Sequence, residues 1–211
     1  LNQIQDKNSS IFICENSRNY LRSMAKKLKC EVIDHNNFIG GRYSILSEVG
    51  MLPSILMGLD ERKFKNYNDL IKNKKFLSAL VDSVSSTLFF VKKNKLNSII
   101  LNYDEDSENL FKWYQQLIAE SLGKKGKGIL PIISNMPKDN HSVMQLYLDG
   151  FQNNFFTFFY VDPKNSEKIK KDKLLKSHKF LRNKKISDII YAQKKATENV
   201  FNKKNIPFRS L

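Results

Sequence analysis

The chain has 211 residues, of which 41% are hydrophobic, and a formal net charge of +15. This length and composition are ordinary for a globular protein with one or two packed cores. Its apolar runs are far shorter than the roughly 20 residues that a transmembrane helix needs. The opening residues lack the basic and apolar parts of a secretory signal. We therefore expect a cytoplasmic protein with no membrane partner.

The positive charge raises nucleic-acid binding as an alternative, because Lys and Arg side chains neutralise phosphates. The lysines are spread along the whole chain among many Asn and Ile residues, which is typical of an AT-rich genome. The densest basic stretch, residues 164–185, has no regularly spaced aromatic residues that could stack on bases. We interpret it as a solvated connecting segment and expect no nucleic-acid partner.

Cysteine and histidine residues are too few and too scattered to indicate a metal centre. Cys14 and Cys30 are predicted to be buried, reduced thiols, because a chain of this size needs no disulfide. His35, His141 and His178 have no further ligands at metal-binding spacing. We expect neither a metal nor a cofactor.

The start of the chain predicts a β-α-β unit. Residues 10–15 and 31–35 are short β-branched runs, and residues 18–29 between them have helical apolar spacing. Such a unit pairs its strands in parallel through a crossover helix. Two strands do not make a stable sheet, and the chain begins without Met. We therefore expect an incomplete first domain and further residues upstream.

The rest of the chain predicts helices followed by alternating strands and helices. Residues 45–94 have helical spacing. Strands are then predicted at 97–103, 128–134 and 155–161, and helices at 109–122, 141–149 and 187–203, the last with Ser187 as its cap. The alternation predicts an α/β fold with doubly wound parallel sheets and flanking helices.

Three segments contain residues that could perform chemistry. In the first, Gly40 and Gly41 precede Arg42, so that backbone without Cβ atoms stands beside a planar, permanently charged donor suited to phosphate or an enediolate. The second contains Glu120 near the end of a predicted helix. The third contains His141 at the start of the next helix. The helix dipole disfavours a charged group at both positions, which suits residues that exchange protons.

These segments resemble the phosphoglucose isomerase family, whose members interconvert glucose 6-phosphate and fructose 6-phosphate without a cofactor. The residues from Gly40 resemble its Gly-Gly-Arg-Phe/Tyr-Ser signature, with Glu48 where the family usually keeps a small residue. The stretch from Trp113 resembles its Trp-x-x-Gln-Leu-x-x-Glu-Ser-x-Gly-Lys block, and the stretch from His141 its His-Ser-x-x-Gln-x-x-x-x-Gly segment. All three occur in the family's order.

The resemblance implies a role for each residue. Glu120 would move the proton between C1 and C2, His141 would assist opening of the sugar ring, and Arg42 would stabilise the enediolate. Gly40 and Gly41 would bind substrate together with Arg42. Without the motifs, a surface turn, a solvent-facing glutamate and a capping histidine would be the better interpretations of these residues.

The resemblance also implies an organisation. Residues 1–44 would be the end of a first sugar-isomerase (SIS) domain, 45–95 a helical connection, and 96–211 a second SIS domain without the enzyme's C-terminal segment. The family forms homodimers in which the histidine comes from the neighbouring subunit. Because the phosphate loop and a C-terminal lysine would lie outside these residues, we expect the isolated chain to be inactive. A non-catalytic SIS module that binds sugar phosphates is the alternative.

Overall fold

The computed structural model describes residues 10–170 and 175–211. The chain divides into two compact units, one up to Asp82 and the other from Ser83. This division lies within a long helix. The assignment of the chain to two SIS domains and a helical connection stays a prediction.

The first unit contains the predicted parallel strand pair. Strand β1 (Ile11–Glu15), helix α1 (Tyr20–Leu28) and strand β2 (Glu31–His35) follow one another, and β1 pairs in parallel with β2 along its whole length. Helix α1 begins after Asn19, whose side chain accepts a hydrogen bond from the third backbone N–H of the helix at 2.9 Å. It ends at Lys29, where the backbone is left-handed with a φ of 57°. Both ends therefore follow common capping patterns.

The helical stretch that follows is a series of helices. A 3-10 helix at Gly41–Leu46 precedes α2 (Glu48–Leu56), α3 (Arg62–Lys65), α4 (Tyr67–Leu70) and α5 (Lys74–Lys92). Just after α2, Gly58 has a φ of +79°. A residue without Cβ adopts this conformation at little cost, which explains the break.

The second unit is a four-stranded parallel sheet flanked by helices. Its elements are β3 (Asn97–Asn102), α6 (Glu108–Leu122), β4 (Leu130–Asn135), α7 (Asn140–Asp149), β5 (Asn154–Phe159), α8 (Ile186–Lys203) and β6 (Phe208–Ser210). The strand order is β4-β3-β5-β6, and all three pairings are parallel. The chain runs outward from β3 to β4 and then returns to the other side of β3. The predicted α/β fold with parallel sheets and flanking helices is confirmed.

Aromatic side chains of β5 form the centre of the second unit. Phe156 and Phe158 are buried, and the ring of Phe201 from α8 meets both edge-to-face at centroid distances of 4.9 and 5.2 Å. On the same strand Phe155 is also buried, and it stacks on Phe90 of α5 at 5.4 Å. Burying such a side chain contributes about 1.5–3 kcal/mol. A strand buried on both faces is typical of a parallel sheet covered by helices.

Several details differ from the sequence-based expectations. Ser187 is the second residue of α8 and not its cap, since the helix begins one residue earlier and the carboxylate of Asp188 accepts the N–H of Lys185 at 3.0 Å. Strand β5 ends before Val161, and β6 had not been predicted. Cys14 is buried as predicted but Cys30 is only half-buried, and both are free thiols.

The described part of the basic stretch 164–185 contains a 3-10 helix at Lys176–Leu181, and residues 171–174 of that stretch lie outside the described residues. Within residues 10–170 and 175–211, no helix combines the length and apolarity required to cross a membrane. The same residues contain no group of three or more His, Cys, Asp or Glu side chains that could hold a metal ion.

Candidate active site

The Gly-Gly-Arg segment lies just beyond the carboxyl end of β2, where the 3-10 helix begins. The hydroxyl of buried Ser44 donates to the carbonyl oxygen of Gly41 at 2.7 Å, and the N–H of Tyr43 donates to that of Gly40 at 2.9 Å. A Cβ atom built on either glycine would meet nothing within 4 Å. The guanidinium of Arg42 lies 4.8 Å from the centre of the Tyr43 ring. A charged donor therefore stands beside backbone that another molecule could approach.

Helix α2 supports this turn by a close backbone contact. A Cβ atom on Gly50 would lie 2.0 Å from the carbonyl oxygen of Ile45, so no larger residue fits there without movement of the backbone. The hydroxyl of Ser47 donates to the carbonyl oxygen of Ser44 at 2.7 Å. Gly50 is thus required for packing, while Gly40 and Gly41 are not.

His35 connects the two ends of the loop that contains Arg42. Its Nε2 lies 3.0 Å from the carbonyl oxygen of Ile39, and its Nδ1 lies 3.2 Å from Oε2 of Glu48. The bond to the Ile39 carbonyl and the bond to Glu48 raise the pKa of His35. The backbone N–H of Glu48 and the bond from His35 lower the pKa of that carboxyl. The motifs did not reveal this histidine.

Glu120 lies in the last turn of α6, at the end of the helix that precedes β4. Its side chain is exposed, and Nε2 of Gln116 donates to its Oε1 at 3.1 Å. The loop that follows is closed by a bridge between Lys124 and Lys127, with Gly126 at a φ of +70°. The carboxylate of Glu120 thus lies at the helix end that leads into a lysine-rich turn, and clustered lysines attract anions.

His141 is the second residue of α7 and is also exposed. The turn before it is fixed by Asp139, whose Oδ2 accepts the N–H of Asn135 from the end of β4 at 2.7 Å. The N–H of His141 itself donates to the carbonyl oxygen of Lys138 at 3.4 Å. The imidazole is thus presented at the carboxyl edge of the sheet.

The structure does not bring Glu120 and His141 together. Glu120 precedes β4 and lies at the amino edge of the sheet, whereas His141 follows β4 and lies at the carboxyl edge. Strand β4 has six residues, which at about 3.3 Å per residue separates the edges by on the order of 15–20 Å. A single sugar phosphate cannot contact both side chains of one chain. Arg42 belongs to the other compact unit.

A crevice lies at the carboxyl edge of the four-stranded sheet. It lies where the connections after β3 and β5 leave in opposite directions, the usual ligand position in open parallel sheets. Its volume is about 230 Å³, and its lining includes Asp104, Glu105 and Asp106. An acidic lining repels a phosphate group, so this crevice does not suit a sugar phosphate.

A buried network holds β6 against α8. Lys194 donates to Oε1 of Glu198 at 2.6 Å and to Oγ of Ser210 at 2.5 Å, and Lys195 donates to the other carboxylate oxygen at 2.8 Å. Burial alone raises the pKa of Glu198, but the bonds from Lys194, Lys195 and Ser210 outweigh burial and lower it. These contacts are structural, since all four residues belong to the packing of the last strand.

Comparison with known proteins identifies relatives of the chain. It is 31% identical over 210 residues to a glucose-6-phosphate isomerase of Methanocaldococcus jannaschii, an alignment that covers 95% of the chain and 50% of the relative. A glucose-6-phosphate isomerase of Mycoplasmopsis pulmonis is 34% identical over 165 residues, covering 75% of the chain and 39% of the relative. One from Acetivibrio thermocellus is 33% identical over 190 residues, with 84% and 41% covered. No protein-family model matches.

The fold also has a counterpart among solved structures. A hypothetical protein from Thermus thermophilus superposes with a TM-score of 0.80 and 22% identity, covering 95% of the chain and 50% of that protein. The chain thus spans half or less of the length of these relatives. The similarity to glucose-6-phosphate isomerases that the three motifs predict is confirmed.

Proposed function

We propose that this chain is the part of a glucose-6-phosphate isomerase that supplies Arg42, Glu120 and His141. The enzyme would interconvert glucose 6-phosphate and fructose 6-phosphate in glycolysis and gluconeogenesis. The similarity to isomerases of several organisms along 75–95% of the chain supports this most strongly. A phosphorylated sugar is too polar to cross a bilayer unaided, so we place the reaction in the cytoplasm.

The reaction requires ring opening, removal of the proton on C2 and its return to C1. The carboxylate of Glu120 would take the C2 proton and give it back at C1, and its position next to the Lys124–Lys127 turn suits an anionic substrate. The guanidinium of Arg42 would stabilise the negative oxygen of the cis-enediolate, with Gly40 and Gly41 leaving room for the sugar. The imidazole of His141 would transfer a proton at the ring oxygen.

The separation of Glu120 from His141 supports a site built from two chains. Each side chain is exposed, and a general base works better in a covered, water-poor site. A homodimer in which His141 of one subunit reaches the Glu120 site of its neighbour would bring the two side chains together and would cover both of them. In such an assembly each chain contributes to two active sites.

The test uses the complete product of the gene that encodes these 211 residues. Turnover of fructose 6-phosphate and exchange of its C1 hydrogen with solvent deuterium would be measured together. Glu120→Gln should lower both by about 10²- to 10⁴-fold, because an amide is not a base, while substrate binding persists. Glu108→Gln, at the other end of the same helix, is the matched control and should leave both unchanged.

The same experiment separates the enzyme from a non-catalytic module that binds sugar phosphates. A parent protein that binds fructose 6-phosphate without turnover or exchange would support the binding module. A Glu120→Gln protein within a few-fold of the parent would exclude Glu120 as the base. His141→Ala should retain exchange with the open-chain ketose while reacting poorly with cyclic substrate, and His178→Gln serves as its control.

A further inference from the structure

The contacts of His35 impose a condition on its protonation. Both of its ring nitrogens face hydrogen-bond acceptors, which are the carbonyl oxygen of Ile39 at 3.0 Å and the carboxylate of Glu48 at 3.2 Å. Neutral imidazole has one N–H donor and one acceptor nitrogen. In either neutral form one nitrogen lone pair would face another lone pair. Only the imidazolium, with two N–H donors, satisfies both contacts.

The residues joined by His35 flank the Gly-Gly-Arg segment. Ile39 immediately precedes Gly40, and Glu48 is the first residue of α2, just after the 3-10 helix that contains Arg42. His35 itself ends β2. Its side chain is 11% exposed, so water competes only weakly for these bonds. One side chain therefore ties the strand end to both ends of the loop.

The surrounding charges favour the protonated ring. Glu48 at the start of α2 and Glu15 at the end of β1 both act on His35 with negative charge. Asp34, the preceding residue, is already paired with Arg22 of α1. Nearby carboxylates and a fixed carbonyl acceptor stabilise imidazolium relative to neutral imidazole.

We propose that His35, as an imidazolium, is a positioning residue that clips the Arg42 loop between Ile39 and Glu48. The inference rests on the proposed function insofar as Arg42 acts on the enediolate. Loss of the proton breaks one of the two bonds and loosens the loop.

The clip predicts the direction of a pH effect. The pKa of His35 is raised by its carbonyl and carboxylate partners. A raised pKa in the folded state means that the clip stabilises the fold fully below the unfolded value of about 6.5, and that this stabilisation disappears as the pH rises through the folded value. We therefore expect the loop that contains Arg42 to be most firmly held at slightly acidic pH and to loosen as the pH rises.

The first experiment follows the imidazole signals of the complete gene product by NMR as the pH is changed. The signal that His35→Gln removes should titrate above about pH 6.5, the ordinary value for histidine, and Glu48→Ala should move its midpoint downward. Thermal unfolding of the same proteins should show that each variant loses most stability near about pH 6 and little near about pH 9. A His35 midpoint at or below about 6.5 would overturn the clip, whether or not the protein is an isomerase.

The second experiment measures the effect on catalysis. Glu48→Ala leaves the histidine in place, and should lower kcat by about tenfold at about pH 6.5 with a smaller change in KM, because misplacing a transition-state group mainly affects the chemical step. His178→Gln, which changes an exposed histidine of the other unit, should match the parent. Equal kcat values for Glu48→Ala, His35→Gln and His178→Gln would overturn the positioning role. Absence of isomerase activity would refute the proposed function, while the titration would still decide the clip.

Discussion

Replacing Lys194 with methionine measures how strongly α8 holds the last strand. The side chains of Lys194 and Glu198 are 4% and 7% exposed, and their charged atoms are 2.6 Å apart. Removing one partner of a buried ion pair typically costs about 3–5 kcal/mol, since the remaining charge stays buried. Lys195 and Ser210 still reach the carboxylate of Glu198. We therefore expect a loss near the lower end, about 3 kcal/mol of unfolding free energy.

Lys195→Met is the matched control, because Lys195 binds the same carboxylate from a side chain that is 49% exposed. Exposed pairs contribute less than about 1 kcal/mol, so the two variants should differ clearly in urea denaturation followed by circular dichroism. Since the pKa of Glu198 is lowered, its contribution is present above the unfolded pKa and is lost as the pH falls through the folded value. Equal losses for the two variants would refute the argument from burial.

Two further substitutions test the packing around the strands. The guanidinium of Arg209 donates hydrogen bonds to Thr157 of β5 and to three residues of α5, which are Ser83, Ser86 and Thr87. Arg209→Met removes this donor, so we expect a loss of about 1–3 kcal/mol of unfolding free energy in urea denaturation. Gly50→Ala should also destabilise the protein, by more than about 1 kcal/mol, and a gain in its thermal midpoint would contradict the contact with Ile45.

Local sequence patterns predict a strand best when all of its side chains are buried, because the strand then appears as a continuous apolar run. Strand β3 has the continuous apolar run Ile99–Leu101, and all three residues are buried, so its sequence alone indicates a central strand. Strand β6 has three residues, one of them Arg209, and it pairs with β5, which is far away in sequence. Nothing in so short a stretch predicts a strand, because its partners decide its conformation.

Ser187 shows how a distant contact overrides a local rule. Serine before an apolar periodic run is a common helix cap. Here the N–H of Ser187 donates to Oγ of Ser166, which lies 21 residues earlier, and the residue is drawn into the buried start of α8. The cap is supplied instead by Asp188, three residues after Lys185. The position at which α8 begins therefore depends on how the segment around Ser166 packs against it, and local sequence patterns do not predict that packing.

The motifs select the candidate residues, whose roles stay a prediction. They place Arg42, Glu120 and His141 at the ends of helices and turns, as observed. They did not predict His35, because its partner Glu48 lies 13 residues away and the spacing fits no helix or strand. The departure from a small residue at Glu48 was the one available signal.

The positions of Glu120 and His141 on opposite edges of one sheet lead to a prediction about mixed dimers. If an active site takes Glu120 from one subunit and His141 from its neighbour, a dimer of one Glu120→Gln and one His141→Ala chain has one site with both substitutions and one intact site. Refolding equal amounts of the two impaired proteins together should therefore restore turnover of cyclic substrate. Random pairing makes about half of the dimers mixed, so about a quarter of the parent activity is expected.

The control is a mixture of Glu120→Gln with a Glu120→Gln, His141→Ala double variant, whose dimers contain no intact site under any arrangement. It should remain inactive. If each site instead used both residues of one chain, the mixture of single variants would also stay inactive, because every site would contain a substitution. That result would contradict the two-chain site.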